Sequence, residues 1–122
     1  PEAAGLIEEN ARKFAVSNIT VIEGSAPEIL KDLPAPDCVF IGGSKGRLEE
    51  ILELIRKKNS QARVVLNAIS LETLAQILEY CRKYPIKNDE IVQVNIAKSK
   101  VVGSYHMMTG QNPIYVVSFE LD

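Results

Sequence analysis

The feature that most constrains this chain is its alternation of short β-branched runs with amphipathic helical stretches. Apolar runs at 37–41 and 62–66 predict strands, and each precedes a stretch with apolar residues every three or four positions, at 45–58 and 70–84. Such alternation predicts a parallel sheet with helices on both faces. The 122 residues are enough for one domain with one core, so we expect residues 1–122 to belong to a single domain.

The two helical stretches carry different apolar stripes. In the first, the stripe is formed by Leu48, Ile51, Leu52 and Ile55, and Ser44 before it is a candidate cap. In the second, Ser70 is the predicted cap, and the predicted apolar face carries Leu71, Leu74, Ala75, Leu78 and Cys81.

The N-terminal part of the chain begins inside a helical pattern. Apolar residues at helical spacing predict a helix over residues 4–14, and the β-branched run 19–23 predicts a buried strand. A short helix is predicted from Ser25, with Ser25 and Glu28 as a capping box. Because the first residue is Pro1 and not Met, we expect the chain to be a fragment of a longer protein.

The C-terminal part lacks a third helix. Strands are predicted at 91–97 and 114–119, and their connection without a helix favours an antiparallel hairpin at the end of the sheet. The segment 99–112 lies between them, has no helix or strand predicted in it, and carries most of the remaining polar residues.

Composition excludes several classes of partner. The formal net charge is −2, with 14 basic and 16 acidic residues, so nucleic acid is not expected to bind. Neither Cys38 nor Cys81 has a second Cys or His at ligand spacing, which predicts reduced thiols and no metal site. No apolar run is long enough to cross a membrane, and no signal peptide opens the chain, so we expect a cytoplasmic location.

Ligands of open parallel sheets bind beyond the carboxyl ends of the strands, and three loops fall there. Gly24, Ser25 and Ala26 could meet a flat ligand or could form only a turn and a cap. Gly42 and Gly43 expose backbone groups, with Ser44 beside them; the alternative is a tight turn that needs positive φ.

Other candidate polar groups lie further along the chain. Asn67 could bind a ligand or bridge backbone groups in a turn. Lys98 and Lys100, together with Lys45 and Arg47, would suit a substrate with several carboxylates, or could be solvent-exposed charges. His106 is the only histidine and has no partner evident from the sequence, so no catalytic residue is assigned.

The loop sequences together resemble a known family. The matching stretches are EGSAPE at 23–28, PDCVFIGGSKG at 36–46, NAISLET at 67–73 and QNP at 111–113. Their order and spacing are similar to those of the decarboxylating precorrin methyltransferases, both the stand-alone subunits and the C-terminal half of the fusion enzymes. The Gly-Gly-Ser loop after an apolar strand, with the late Asn-Pro, is the most specific of these features.

The resemblance implies an α/β fold, a Rossmann-like class I methyltransferase sheet that is mostly parallel with a C-terminal antiparallel hairpin. The sheet would lack its first two strands, which in the family lie between the strands at 19–23 and 37–41. It also implies S-adenosyl-L-methionine as the cofactor, a tetrapyrrole (precorrin) substrate methylated at C15 with loss of carbon dioxide from the C12 acetate, and a homo-oligomer, commonly a tetramer. Residues 1–122 would then be a partial methyltransferase domain.

The resemblance also implies roles for individual residues. Gly24, Ser25 and Ala26 would meet the adenine side of the cofactor, and Gly42 and Gly43 would lie near its methyl group. The substrate would contact Ser44, Lys45, Asn67, Lys98, Lys100, His106 and Met108. One departure is Ser25, where the family usually has Asp; serine keeps the capping role but loses a charged acceptor.

Two other functions remain open from the sequence. One is a catalytically inactive Rossmann-like fragment with a structural or oligomerisation role, which the missing strands favour. The other is a Rossmann oxidoreductase, against which the terminal hairpin and the Gly-Gly-Ser loop argue.

Overall fold

The computed structural model describes residues 2–122, which divide into two compact units. The first unit ends at Leu33, and the second comprises Pro34–Asp122.

The first unit consists of one helix and an irregular segment. Helix α1 spans Glu2–Lys13, as predicted, and is followed by Ala15 in the left-handed region (φ 55°), with Val16 N donating to Ala11 O at 2.8 Å. None of the residues of α1 is buried, and Phe14 just after it is 73% exposed. The apolar stripe of this helix is therefore only partly covered by the described residues.

Two predictions for the first unit are wrong. Residues 19–23 form no strand and are mostly exposed, because β structure needs a hydrogen-bonded partner and they pair with none of the described strands. The capping box at Ser25 is absent as well. The short 3₁₀ helix Glu28–Leu30 follows Pro27 and has no side-chain cap, and Ser25 contributes only its backbone carbonyl, to Ile29 N at 3.1 Å.

The second unit contains six β-strands and two helices. Its strands are β1 (Cys38–Ile41), β2 (Arg63–Ala68), β3 (Ile86–Val94), β4 (Ala97–Val102), β5 (Tyr105–Gly110) and β6 (Ile114–Leu121). Its helices are α2 (Leu48–Lys58) and α3 (Leu71–Lys83). Four strands form one sheet in the order β1-β2-β6-β3, and β4 pairs with β5 in a separate two-stranded sheet.

The four-stranded sheet is mixed. β1 pairs with β2 in parallel, and β6 pairs antiparallel with both β2 and β3. Strands β1, β2 and β3 therefore run in one direction and β6 in the other, which confirms the predicted α/β class and the antiparallel end. Only the β1–β2 contact is between parallel neighbours, because β6 lies between β2 and β3.

Both helices of this unit lie on one face of the sheet. The buried positions of β2 and β6, including Leu66 and Phe119, face the buried positions of α2 and α3, and the ring of Tyr80 stacks on Phe119 at 6.2 Å. The prediction of helices on both faces is therefore wrong for this unit. Helix α2 connects β1 to β2, and α3 connects β2 to β3, so both connections move in the same direction across the sheet. Because connections of this kind are right-handed, both helices lie on the same face. On the other face, Phe40 is 65% exposed.

The start of α2 differs from the prediction. The helix begins at Leu48 and not at 45, because Lys45 (φ 51°) and Gly46 (φ 81°) are left-handed and interrupt the helical path. Ser44 does not cap it; the capping position is Arg47, which forms no side-chain cap. The predicted stripe is confirmed, since all four of its residues are buried: Leu48, Ile51, Leu52 and Ile55.

Helix α3 confirms its cap but not its apolar face. Ser70 Oγ accepts from Thr73 N at 3.1 Å, as predicted. The buried residues are Ile77 and Tyr80, whereas Leu71 is 70% and Leu78 is 45% exposed. Helical periodicity allowed either face, and the ring contact of Tyr80 with the sheet decided the rotation of the helix.

The segment 99–112, for which no element was predicted, is largely a β-hairpin. β4 and β5 pair antiparallel from Ala97↔Gly110 to Val102↔Tyr105, and Gly103 has a left-handed φ of 63° in the two-residue turn. The Gly103–Ser104 pair between β-forming residues was a readable hairpin signal. The predicted strand at 91–97 is instead the longer β3, which ends at Val94.

Hydrogen bonds of Arg56 and Glu49 connect α2 to α3 and to the C-terminal residue. Arg56 donates to the hydroxyl of Tyr80 at 2.9 Å and to the carbonyl of Asp122 at 2.6 Å. Glu49 accepts from the Tyr84 hydroxyl at 2.5 Å and from Lys83 Nζ at 2.9 Å. These two bonds, the one from Tyr84 first, lower the pKa of Glu49, and the Glu49 carboxylate raises the pKa of Lys83.

Replacing Leu52 by Ala tests the helix–sheet core. Leu52 is 0% exposed, so L52A removes buried methyl groups and leaves a cavity, which lowers the free energy of unfolding by about 2–5 kcal/mol. Leu78→Ala is the matched control, because Leu78 is 45% exposed and should lose far less. Urea unfolding followed by circular dichroism measures both; equal losses would contradict this packing.

Replacing Glu49 by Gln tests the contact between the two helices. The pKa of Glu49 is lowered from 4.5, so its contribution to stability is present above pH 4.5 and disappears as the pH falls through the lower folded value. The pKa of Lys83 is raised, so the same contribution fades again as the pH rises beyond 10.5. We expect E49Q to melt below the parent chain at pH 7 and level with it in acid. Glu8→Gln, at a site with no partner in the described chain, is the control for thermal melts across pH.

Candidate functional site

A cleft opens where β1 and β2 end and α3 begins. It has a volume of about 290 Å³. It is lined by Gly42, Gly43, Ser44, Lys45, Gly46, Asn67, Ala68, Ile69, Glu72, Thr73 and Gln76. Five residues predicted from the sequence as ligand-binding therefore meet at one place: Gly42, Gly43, Ser44, Lys45 and Asn67.

The backbone conformation does not require glycine at position 42 or 43. Neither Gly42 nor Gly43 has a φ in the left-handed region; Gly46 (φ 81°) is the glycine of this loop that does. A Cβ on Gly43 would meet nothing within 4 Å, and one on Gly42 would only touch the ring of Phe40 at 3.4 Å. The alternative of a tight turn that requires positive φ is therefore wrong. Neither the backbone conformation nor close packing within the described residues therefore requires glycine at these two positions.

The next two residues supply polar groups without a structural task. Ser44 uses its backbone carbonyl to accept from Arg47 N at 2.9 Å, while its hydroxyl caps no helix. Lys45 is exposed, has no ion pair within residues 2–122, and is held at φ 51°, a sparsely populated region for a residue with a side chain. The loop thus presents a hydroxyl and an ammonium group at the cleft.

Asn67 lies within β2, paired with Val116, and not in a turn. The alternative of a turn-bridging residue is therefore wrong. It is half-buried and alternates with the buried Leu66 and Ala68, so its side chain is on the sheet face opposite the helices. No hydrogen bond of its amide is found in the described chain.

Three polar lining residues on α3 were missed by the sequence analysis. Glu72, Thr73 and Gln76 occupy the first turns of α3, directly after the Ser70 cap. The signal that could have found them is positional, because the first turn of a helix that follows a parallel strand lies at the ligand-binding edge. Glu72 adds a carboxylate to a cleft that already has the Lys45 ammonium group.

The remaining predicted substrate residues lie on the hairpin and do not line this cleft. Directly opposed residues of an antiparallel pair share a face, and the register opposes Lys98 to Thr109 and Lys100 to Met107. His106 opposes Val101, and Met108 opposes Ser99, on the other face. The four hairpin residues that the sequence grouped together are thus split between two faces.

Gly24, Ser25 and Ala26 belong to the first unit. There Gly24 closes a shallow cleft of about 340 Å³ against α1, lined also by Ala3, Ala4, Ile7, Val21, Ile22 and Glu23. Gly24 has φ 148°, and a Cβ on it would overlap the side chain of Ile29. For Gly24, the alternative of a purely conformational role has direct support. Ser25 and Ala26 do not line this cleft.

Several chemistries have no group to carry them in the described residues. Burial and the nearby Asp89 raise the pKa of Cys81 to about 11, which leaves its thiol protonated and a poor nucleophile. Among residues 2–122 no three His, Cys, Asp or Glu side chains cluster as metal ligands do. Within the same residues no helix has the length and apolarity to cross a bilayer.

A groove of about 460 Å³ between α2 and α3 is larger than the cleft, with Glu49, Glu79, Tyr80 and Lys83 among its lining residues. Glu49 and Lys83 are bonded to each other there. The groove is therefore explained by helix packing, and the smaller cleft at the strand ends is the better candidate for a ligand site.

Curated relatives and solved structures are similar to this chain along nearly its full length. The chain is 38% identical over 118 residues to a probable cobalt-precorrin-6B C(15)-methyltransferase (decarboxylating) of Sulfurisphaera tokodaii, covering 95% of this chain and 60% of the relative. It spans less than two thirds of the length of the relatives it matches.

Two crystal structures share the fold. A precorrin-6y C5,15-methyltransferase from Geobacter metallireducens superimposes with a TM-score of 0.84 at 40% identity, covering 98% of this chain and 64% of that one. A precorrin 8W decarboxylase from Methanobacterium thermoautotrophicum gives 0.83 at 33% identity, with 97% and 64% covered. These likenesses agree with the predicted methyltransferase fold.

The family model of the precorrin methyltransferase domain matches residues 1–120. With the sheet order, the Gly-Gly-Ser loop and the relatives in agreement, this chain belongs to the precorrin methyltransferase family.

Proposed function

We propose that this chain is part of an S-adenosyl-L-methionine-dependent C-methyltransferase that methylates a precorrin at C15 and releases carbon dioxide from the C12 acetate. The names of the relatives support the reaction, since the Sulfurisphaera protein is a probable decarboxylating C(15)-methyltransferase. Because the chain spans 60% of that relative, the activity is proposed for the whole protein.

The single observation that carries the proposal is the pair of glycines at the cleft. Gly42 and Gly43 have ordinary φ values, and Gly43 has open space where a Cβ would stand. Glycine at such a position is explained by a ligand that packs against the bare backbone. The residues present fit a flat, polar cofactor, because backbone groups, a hydroxyl and charges of both signs line the same cleft.

The bound cofactor supplies an activated methyl group on a sulfonium centre, so transfer needs no protein nucleophile. What the chain contributes is position and electrostatics. Gly42 and Gly43 leave room for the methyl-bearing end. The Glu72 carboxylate suits cationic groups of the cofactor, and Lys45 with Ser44 suits a carboxylate of cofactor or substrate.

The chain alone should bind the cofactor weakly or not at all. The resemblance implies two further strands, which in the family's sheet lie between the strands corresponding to residues 19–23 and 37–41. These strands bear the glycine-rich loop and the acidic residue that hold the nucleotide. Two observations support this: within residues 2–122, residues 19–23 have no strand partner, and β1 pairs only with β2. A free edge beside the exposed Phe40 is where such a strand would add.

The competing function is an inactive fragment with a structural or oligomerisation role. The exposed hairpin strands and the uncovered side of the sheet favour it. A homo-oligomer, which the resemblance implies, stays a prediction that sedimentation velocity can test for this chain.

Cofactor binding by a completed protein tests the proposal. A chimera would join this chain to the segment of the Sulfurisphaera relative that it does not match, and titration calorimetry would measure S-adenosyl-L-methionine binding by chain and chimera. We expect binding by the chimera and weak or no binding by the chain. Gly43→Ala in the chimera should weaken binding about tenfold or more, because the new methyl group overlaps the cofactor.

The matched control is Gly110→Ala, at another glycine with ordinary φ and nothing within 4 Å of a Cβ, but outside the cleft. It should leave binding unchanged. A chimera that folds and does not bind would favour the structural role, and equal effects of the two variants would sink the assignment of the cleft.

A further inference from the structure

The cleft at the strand ends has one carboxylate, that of Glu72. Within residues 2–122 its lining includes no Asp, His, Cys or Tyr, and its other polar side chains are hydroxyls, amides and the ammonium group of Lys45. Near neutral pH hydroxyls and amides do not exchange protons readily and a lysine ammonium keeps its proton, whereas a carboxyl group both takes up and releases one. Glu72 is therefore the residue of this cleft that is suited to proton transfer.

Glu72 also differs from the other carboxylates of α2 and α3. Its exposed side chain has no ion pair or hydrogen bond within residues 2–122, and it does not pair with Lys45, although both line the same cleft. Each of the other carboxylates of the two helices has a basic partner: Glu49 with Lys83, Glu50 with Arg47, Glu53 with Arg56, and Glu79 with Arg82. The Glu72 carboxylate has no such structural task and is free to act on a ligand.

The turn that bears Glu72 is held in place by the cap of α3. Ser70 Oγ accepts from Thr73 N at 3.1 Å and donates to Thr73 Oγ1 at 2.9 Å. One turn further on, Ile77 is buried, which fixes the rotation of the helix. Glu72 thus stands on a fixed backbone beside the Gly42–Gly43 loop, which lines the same cleft.

The proposed reaction moves one proton within the substrate. Methylation replaces the hydrogen of C15, so C15 gives up H⁺ once its electron pair has formed the new C–C bond. Loss of carbon dioxide breaks the C–C bond of the acetate and leaves its electron pair on the methylene carbon and the conjugated ring. That carbon becomes a methyl group when it takes up H⁺. One proton released and one taken up balance, and no oxidant or reductant is needed.

We propose that Glu72 is the catalytic residue that relays this proton. Its carboxylate removes H⁺ from C15, and the resulting carboxylic acid protonates the carbon that has lost carbon dioxide. The relay rests on the proposed function and goes beyond it, since that function assigns no group to proton transfer. The position of Glu72 beside the Gly42–Gly43 loop brings its carboxylate to the place where the methyl group meets C15.

Glu72→Gln tests the relay in the chimera defined above. The substrate is cobalt-precorrin-6B, which the name of the Sulfurisphaera relative contains. Glutamine keeps the size of the side chain but neither takes up nor gives a proton. At saturating S-adenosyl-L-methionine, kcat should fall about 100-fold or more, the usual order for general acid–base catalysis, with KM for the precorrin little changed. Mass spectrometry follows the methylated and decarboxylated product.

A second readout needs no methyl donor. In D₂O the chimera should exchange the C15 hydrogen of the substrate for deuterium, because a group that removes a proton there can also return one. E72Q should show only the exchange of the free substrate. A residue that merely supported the fold of a still folded protein would not change this exchange.

Two controls separate proton transfer from structure. Glu79→Gln removes a carboxylate from the same side of α3, two turns further on and outside the cleft, and should keep the parent kcat. Glu72→Ala leaves space for formate, and added formate should raise its kcat about tenfold, whereas E72Q leaves no such space and should not respond. Circular dichroism confirms that each variant is folded.

The relay is overturned if E72Q keeps the parent kcat, if parent and E72Q exchange the C15 hydrogen at the same rate, or if formate affects E72A and E72Q alike. A loss of kcat in E79Q equal to that in E72Q would overturn it as well. A chimera that fails to bind S-adenosyl-L-methionine or to methylate the precorrin would sink the proposed function and the relay with it. An active chimera with an equally active E72Q would sink the relay alone.

Discussion

The antiparallel insertion of β6 between β2 and β3 is the pairing on which the rest of the second unit depends. It places Val117 and Phe119, both essentially inaccessible to solvent, at the middle of the layer that α2 and α3 cover. The stacking of Tyr80 on Phe119 then fixes the rotation of α3, and with it the side that its first turn presents to the cleft. Because a one-residue slip of β6 would turn Phe119 to the opposite face, this register is strongly specified.

The same pairing organises the functional edge. The carboxyl end of β2, which bears Asn67, pairs with the start of β6. Because the β4–β5 hairpin directly precedes β6 in sequence, the base of the hairpin lies beside this end of β2. The Gly42–Gly43 loop, Asn67 and the start of the hairpin therefore lie at the same edge of the sheet. Geometry of this kind lets separate loops contribute to one reaction without any of them carrying a nucleophile.

The glycines illustrate how an unstrained residue can be more informative than a strained one. Gly24 and Gly46 are explained by their own φ values, and Gly24 also by its contact with Ile29. For Gly42 and Gly43 the described residues offer no such explanation. For this reason the cleft beside them, and not the larger groove between the helices, is the site proposed for the cofactor.

What the sequence determined by itself was local or carried by the family resemblance. Helical periodicity located α1, α2 and α3, the Ser70 cap was legible as a short-range pattern, and the loop stretches identified the family, which the match over residues 1–120 confirms. The meeting of Gly42 through Lys45 with Asn67 followed from strand direction alone.

Only the tertiary structure decided which apolar stripe of α3 is buried, that both helices share one face, and that the hairpin separates Lys98 and Lys100 from His106 and Met108. It also showed that residues 19–23 do not form a strand. The physical reason is the range of the interactions. Periodicity and caps depend on neighbours within a turn or two, whereas strand pairing, register and helix rotation depend on partners far away in sequence.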